Sequence, residues 1–537
     1  MSVRHARSID CLDRRTICNS AYILLTVPLI LFLISLLARP AMVFDAAYGF
    51  LALRNMLAGG SFNIVSTPDP GNIANDIGTY LTWWSPGQYL VPGLFIWLGC
   101  SYGLAISLTT MIASAIGVLG WIRIALAFEV PNFTVFMFAL GLVSFHYATS
   151  PFRLYTGGEV LLFAVSPWSL CALQFAVQKR PAISLSISVV TASVVFFAKL
   201  SGLVMFGTTV TAISVSEIIK RRQITSSLFA LWTGSSIAAI VILTFWVARG
   251  QTPVTGAEYN FTPSAVLFPI AAAVFSGLSL HELLSWLFLY PSSPMLSSIR
   301  ETSYVLGPFG LLVIWWVWNR LRNTRHRPMA IFSLTLIAIY ITTFIAMYIR
   351  NGETGTVAFE ERYFRYAGIL FFLLLLVAID QWHAIWGKVV ATGIVAVFAL
   401  YGLASYAHGT RELTRGLHFD PASGTSMLLV SPAALEYLRS EMMQHNWQNA
   451  IAVVPDPEAA NGLPRFRILF SFHLLDSAPF DDIARQKWAG RTDKIFVIID
   501  SRMRDPSKVD AVLRTFVDYD FRKWDRKKID GMLVASQ

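Results

Sequence analysis

Residues 44–60 read FDAAYGFLALRNMLAGG. Phe44, Ala47, Tyr48, Leu51 and Leu57 fall close to one side at helical spacing, Asp45 stands in the first turn, and Gly59-Gly60 supplies the stop. The segment begins shortly after an apolar stretch, 21–38, that is long enough to cross a bilayer at about 20 residues per span. An amphipathic helix leaving a membrane span reads as one lying on the membrane surface. Asp45 is then either the carboxylate that caps this helix or a functional acid at the membrane face.

Outward from there the apolar pattern repeats. Spans recur near 102–126, 130–148, 158–177, 181–198, 201–219, 225–247, 302–319, 328–349, 364–382 and 389–407. Two further stretches, 84–98 and 263–290, are broken by Pro or Gly and read as surface or re-entrant helices. Of the 537 residues 55% are hydrophobic and 14% charged, where a soluble chain carries roughly a quarter charged. The expected fold is mainly α, a polytopic membrane bundle of about eleven transmembrane helices with outer surface helices, followed by a soluble α/β domain.

The net charge of +10 divides unevenly. Residues 408–537 hold 18 Lys and Arg against 17 Asp and Glu, leaving 24 against 15 for residues 1–407. With a cytoplasmic N-terminus, 15 of those 24 basic residues fall in the N-terminal segment or on short inner loops, among them Arg123, Lys179, Arg180, Lys220, Arg320 and Lys388. The excess is orientation charge, and nucleic-acid binding is not supported. The same map places the long loops 39–101 and 248–301, the shorter loop 351–363 and the C-terminal domain outside.

Three units follow: a cytoplasmic segment 1–19, a transmembrane domain 20–407 and an extracytoplasmic α/β domain 408–537. In the last, apolar runs at 450–454, 466–472, 495–499 and 532–534 read as strands. Helices are expected after Ser431-Pro432 and across 506–517. Asp500 after the third run is read as an acid leading into a turn. Cys11, Cys18, Cys100 and Cys171 have no spacing that suggests disulfides or zinc. The basic N-terminus precedes an uncleaved first helix, since no small-residue cleavage signal closes the stretch.

An ionisable residue at membrane depth costs on the order of 3 kcal/mol on insertion scales, so each calls for a reason. Besides Asp45 there are Arg153 and Glu159, which bracket RLYTGGE. Lys199 stands at the apex of the 181–219 hairpin, and EERYFRY spans 360–366 with Glu361, Arg362, Tyr363 and Arg365. Trp84 belongs to WWSPGQYLVPGLF, 83–95. Each has an ordinary reading: a loop ion pair for Arg153 and Glu159, a snorkelling lysine, mutual neutralisation in EERYFRY, an interfacial aromatic belt around Trp84. All converge from separate loops on one outer level. Acids for proton transfer beside bases for a phosphate leaving group suit transfer from a lipid phosphate.

The order of these features resembles the C-type fold of membrane glycosyltransferases that use polyprenyl-phosphate sugars, such as protein O-mannosyltransferases and the sugar transferases of lipid A. That family's acidic pair in the first outer loop corresponds to Asp45-Ala46, its Pro-Pro surface helix to Ser85-Pro86, and its Arg-spacer-Asp to Arg153 and Glu159. Its hairpin-apex lysine corresponds to Lys199 and its Glu-Arg-Tyr motif to Glu361-Arg362-Tyr363. The resemblance covers residues 20–407 and matches the C-terminal domain only in type. It implies a glycosyltransferase of the cell inner membrane, with a polyprenyl-phosphate sugar as donor and an envelope glycan, lipid or protein as extracytoplasmic acceptor. It further implies transfer with inversion, Asp45 as general base assisted by Glu159, and Lys199, Arg362 and Arg365 on the donor phosphate. Arg153, Glu361, Tyr363 and Trp84 would contact substrate. A divalent cation, Mg or Mn, is the candidate cofactor, although Ala46 stands in place of the second acid and Glu159 in place of the Asp, where such an ion wants several oxygen ligands. A transporter or flippase would place its charges at the midplane and show repeated halves. Here the charges collect at one outer level and no repeat is visible; a polysaccharide polymerase or ligase would use a diphosphate donor, and both remain alternatives.

Overall fold

A computed structural model describes residues 22–537 except 83, 251–260, 290–294, 352–358, 383–384, 416–417, 446–448, 501–502 and 504; no side chain is described at 288–289, 295–301, 351, 445 and 472. The expected cytoplasmic segment 1–19, with Cys11 and Cys18, lies outside the described residues.

The first apolar stretch is helical over Thr26–Leu37 (α1), 12 residues. At 1.5 Å per residue that is about 18 Å, short of the ~30 Å hydrocarbon core. Tyr22 and Ile23 are helical too, a turn at 24–25 interrupts the ladder, and the part of the stretch before Tyr22 lies outside the described residues; Pro28, without an N–H, cannot bond the Leu24 carbonyl, which Val27 takes instead.

A mixed layer of short strands and helices comes next: β1 (Ala41–Met42), α2 (Phe44–Leu57), the hairpin β2 (Ile64–Asp69) and β3 (Asn72–Tyr80), and α3 (Gly87–Trp97). The bundle continues with α4 (Tyr102–Ala127), α5 (Asn132–Ser144), the short strand β4 (Leu154–Tyr155), α6 (Gly158–Ala176), α7 (Pro181–Ala198), α8 (Gly202–Arg221) and α9 (Ser226–Phe245). It ends with α10 (Pro263–Phe275), α11 (Leu280–Leu284), α12 (Met295–Leu321), α13 (Arg327–Asn351), α14 (Arg365–Asp380) and α15 (Trp386–Arg415).

Among the described residues eight helices are long and apolar enough to cross a membrane, or ten if each of two bent pairs is one span. Eleven were expected. Besides the shortened α1, the difference lies in α12, where Thr302, Ser303, Pro308 and three tryptophans dilute the apolar character. One bent pair, Asn132–Ser144 with His146–Phe152, turns by 53°, and the other, Pro263–Phe275 with Leu280–Leu287, by 100°. The second agrees with the re-entrant reading of 263–290. Exposed Val190, Val194 and Phe197 on α7, like Val305 and Leu312 on α12, form an outward apolar face with no protein to cover it. The chain is a multi-pass membrane protein.

One expectation fails for α2. It is not a surface helix: Ala46, Ala47, Phe50 and Ala52 are fully buried, while Leu57 of the supposed apolar face is exposed. Its small residues let two partners close on opposite sides. Gly49 lies against Gln88 and Tyr89 of α3. On the other side Arg54 donates to the carbonyls of Leu463 and Phe466 in the C-terminal domain.

That domain is built on a five-stranded sheet of β5 (Ile451–Val454), β6 (Arg467–Phe470), β7 (Ile495–Ile499), β8 (Asp525–Ile529) and β9 (Met532–Ser536). The order is β8-β9-β7-β5-β6, with β5 parallel to β6 and β7, and β9 antiparallel to β7 and β8. Four strands fall at the four apolar runs. The fifth, β8, reads DRKKI, and its charges suit an exposed edge rather than a core. Helices Pro432–His445 and Pro506–Arg514 occupy the two expected places. The β2–β3 hairpin, signalled only by the Pro70-Gly71 turn, joins this domain through Ile73. Its side chain is in the core with Ile451 and Trp488, and its N–H bonds the Ala489 carbonyl at 2.8 Å.

Candidate active site

Two loops at the same end of the bundle are tied by a two-residue parallel ladder. Ala41 pairs with Leu154 and Met42 with Tyr155. Asp45 follows the first strand and Glu159 the second, so the ladder sets both acids side by side although more than a hundred residues separate them in sequence. Asp45 occupies the first turn of α2, whose amino end carries no side-chain cap.

The glycine pair before Glu159 serves packing. Gly157 adopts φ +67°, and a Cβ on Gly158 would come within 2.8 Å of the Ala198 carbonyl. The α6 amino end can therefore press against the α7–α8 apex, and Glu159 Oε1 pairs with Lys199 Nζ.

Arg362 ties the group together. Its Nη2 donates to Asp45 Oδ2 at 2.9 Å, its Nη1 stands 3.2 Å from Glu159 Oε1, and its Nε pairs with Glu360. Lys199 Nζ lies 5.2 Å from the centre of the Tyr363 ring, and the Arg362 guanidinium 5.5 Å. Burial lowers the Lys199 ammonium's pKa, the Glu159 charge opposes that, and the Arg362 charge adds to it. Three carboxylates and two cations thus form one partly exposed network at the meeting point of four loops. Glu360 was not among the sequence candidates, its charge having been read as partner to the arginines.

Other candidates go elsewhere. Arg365 shares its turn with Arg362 yet parts from it: Nη1 donates to Ser279 Oγ at 2.8 Å and to the Ser276 carbonyl, and Nη2 meets Glu282 Oε1 at 3.4 Å. Glu361 is buried, with no partner for Oε2 among the described residues. The Arg153 guanidinium lies against Gly409 of α15, so it is not the ion-pair partner of Glu159. The Trp84 ring packs at a tilt against Tyr48, 5.1 Å between centres, and edge-on to Phe44 at 6.5 Å, beside the Asp45 turn. The sequence reading missed Glu282, His281 and His146, although ionisable residues in the apolar stretches 263–290 and 130–148 were a usable signal.

A cavity of about 760 Å³ opens beside the network, lined by Glu159, Arg362 and Tyr363 and by apolar side chains such as Leu154, Val160 and Phe163. Its size is within the range of small-molecule sites. Among the described residues no three His, Cys, Asp or Glu side chains are arranged to hold a metal ion. Asp45 and Glu159 are bridged by a guanidinium instead, a donor set that does not fit a divalent cation.

Among solved structures the chain is similar to ArnT from Cupriavidus metallidurans bound to undecaprenyl phosphate, with a TM-score of 0.53 and 13% identity over 96% of this chain and 97% of that one. The apo state of the same protein gives 0.52 and 14% over the same shares. At this identity the likeness is one of fold. No family model matches the sequence, and no curated protein does.

Proposed function

We propose that the protein transfers a sugar from a polyprenyl-phosphate donor to an extracytoplasmic acceptor. One observation carries this reading: Arg362 bridges Asp45 and Glu159 while Lys199 holds Glu159 from the other side. The arrangement sets a base next to two cations, as displacement at a carbon bearing a phosphate requires.

In the proposed reaction an acceptor hydroxyl gives its proton to Asp45 as its oxygen bonds the anomeric carbon. The bond from that carbon to the phosphate oxygen breaks, and the electron pair leaves with the lipid phosphate. Lys199 and Arg362 meet the charge growing there, exchanging carboxylate for phosphate contacts. Attack from the face opposite the leaving group inverts the anomeric centre. Glu159 positions both cations. The apolar lining of the cavity suits the first isoprene units, and the fold shared with ArnT, solved with undecaprenyl phosphate, supports a lipid phosphate as the leaving group. The charge distribution supports an inner-membrane setting with the site and the C-terminal domain on the outer face.

Purified protein incubated with labelled undecaprenyl monophosphate sugars and envelope acceptors tests the reading. Release of undecaprenyl phosphate coupled to label on the acceptor is expected. No release from any monophosphate donor, or release from diphosphate donors alone, would contradict it.

A further inference from the structure

A second polar group lines the same cavity and takes no part in the chemistry above. It is created by two glycines. A Cβ on Gly277 would fall 2.1 Å from the Gly368 carbonyl, so only glycine lets the elbow between α10 and α11 reach α14. At that elbow Ser279 holds a left-handed backbone, φ +56°, a conformation costly for a non-glycine residue and often found at binding sites. The contact presents Glu282 and His281 to Arg365 and Glu361.

The charges there are imperfectly satisfied. Arg365 is held by Glu282, Ser279 and the Ser276 carbonyl, and its guanidinium lies 4.7 Å from the Tyr147 ring centre. Glu361 is 7% exposed and His281 6% exposed, yet Glu361 Oε2 and His281 Nε2 have no hydrogen-bond partner among the described residues. Glu282 Oε2 and His146 Nδ1 are likewise without one. Buried polar groups are normally satisfied, and these four belong to residues that line one cavity, where a ligand can supply the missing partners. Two are carboxylate oxygens, which can only accept unless protonated. Rings complete the wall: Tyr401 stands 5.4 Å from His146 and 6.0 Å from Trp286.

Acceptor-rich side chains, one guanidinium and flat aromatic faces suit a polyhydroxylated ring, whose hydroxyls donate and whose C–H faces pack on aromatics. We infer that Glu282, His281, Glu361 and Arg365, with Trp286, form the subsite for the donor's sugar ring, separate from the Lys199–Arg362 group that takes the phosphate. This rests on the proposed polyprenyl-phosphate donor. It moves Arg365 from the phosphate to the sugar and makes the α10–α11 elbow the element that selects which sugar is used.

Binding of undecaprenyl phosphate, with and without an attached sugar, separates the two claims. Wild-type protein in nanodiscs should bind at least one of a pentosyl, hexosyl or aminosugar monophosphate lipid about tenfold more tightly than the bare lipid phosphate. His281→Gln and the half-exposed Trp286→Ala should abolish that gap while leaving the affinity for bare undecaprenyl phosphate within about twofold. Lys199→Gln should weaken both ligands. If both variants keep the gap, or if bare lipid phosphate loses as much as the sugar-bearing lipid, the subsite is overturned and the donor reading stands. If neither lipid binds wild-type protein, the donor reading falls and takes the subsite with it.

Discussion

Arg362 Nη2 donates to Asp45 Oδ2 at 2.9 Å across 317 residues of sequence. The contact joins the last membrane-entry loop to the first, and the same guanidinium reaches Glu159. A planar group with five donors can serve three carboxylates at once, whereas an ammonium is a point charge on a flexible stem. Arg362→Lys is therefore expected to lower kcat about 10²–10³-fold while the protein stays in the membrane fraction at wild-type level. A loss below threefold in a coupled lipid-phosphate release assay would show that the bridge is dispensable.

Lys199 and Glu159 form a largely buried pair, with side chains 16% and 20% exposed. Removing Glu159 strands Lys199 and should cost about 3 kcal/mol of stability, whereas Lys199→Gln leaves Glu159 to Arg362 and should cost less; the double variant should be more stable than Glu159→Gln alone. Activity should remain absent in all three, since Lys199→Gln removes the ammonium that meets the phosphate and Glu159→Gln the acid that positions both cations. Thermal unfolding in detergent beside transfer assays separates the structural cost from the chemical one.

Gly158→Ala tests the packing that aligns this pair. The added methyl would meet the Ala198 carbonyl at 2.8 Å, and neither backbone can turn aside freely. A destabilisation of about 1–3 kcal/mol is expected, with Lys199 displaced and kcat reduced more than the KM for donor is raised. Wild-type kinetics in this variant would mean that the α6–apex contact does not set the site.

Two acids of the C-terminal domain should make its docking pH-dependent. Glu458 is buried and accepts the Met42 N–H at 2.7 Å, immediately before the Asp45 helix. Burial, with the Asp456 charge adding, raises the Glu458 pKa well above the usual carboxylate range, and burial brings Asp456 up to about 6. Folded protein then binds protons more tightly than unfolded chain. The stabilisation is full below the unfolded carboxylate pKa of roughly 4 and is lost as pH rises through 6 and beyond, on the order of 2 kcal/mol. Melting temperature should fall between pH 5.5 and 8, and Glu458→Gln, which keeps the acceptor oxygen, should flatten that slope. An unchanged slope would remove Glu458 as its source.

Much of this was legible in the sequence because membranes make charge conspicuous. Asp45, Glu159, Lys199 and Arg362 stood out as ionisable residues at the ends of apolar spans, and the structure places them in one network. What escaped depended on partners distant in sequence. Nothing in 44–57 says that the C-terminal domain covers α2, since small residues such as Ala46 and Gly49 look neutral on a helical wheel and matter only when two surfaces close on them. Arg365 looked equivalent to Arg362 because they share a turn, and only the Gly277–Gly368 contact reveals its partner, Glu282. The hairpin at 64–80 and the strand at 525–529 carry polar, exposed residues that no apolar pattern marks.

The central claim is that Asp45 removes the acceptor proton. Asp45→Asn keeps size and shape and can still accept one hydrogen bond from Arg362, so the fold and the affinity for undecaprenyl phosphate should be retained. Single-turnover transfer from a labelled undecaprenyl-phosphate sugar, measured with this variant, is expected to fall by at least about 10³-fold with binding unchanged. Near-normal transfer by Asp45→Asn would contradict the account.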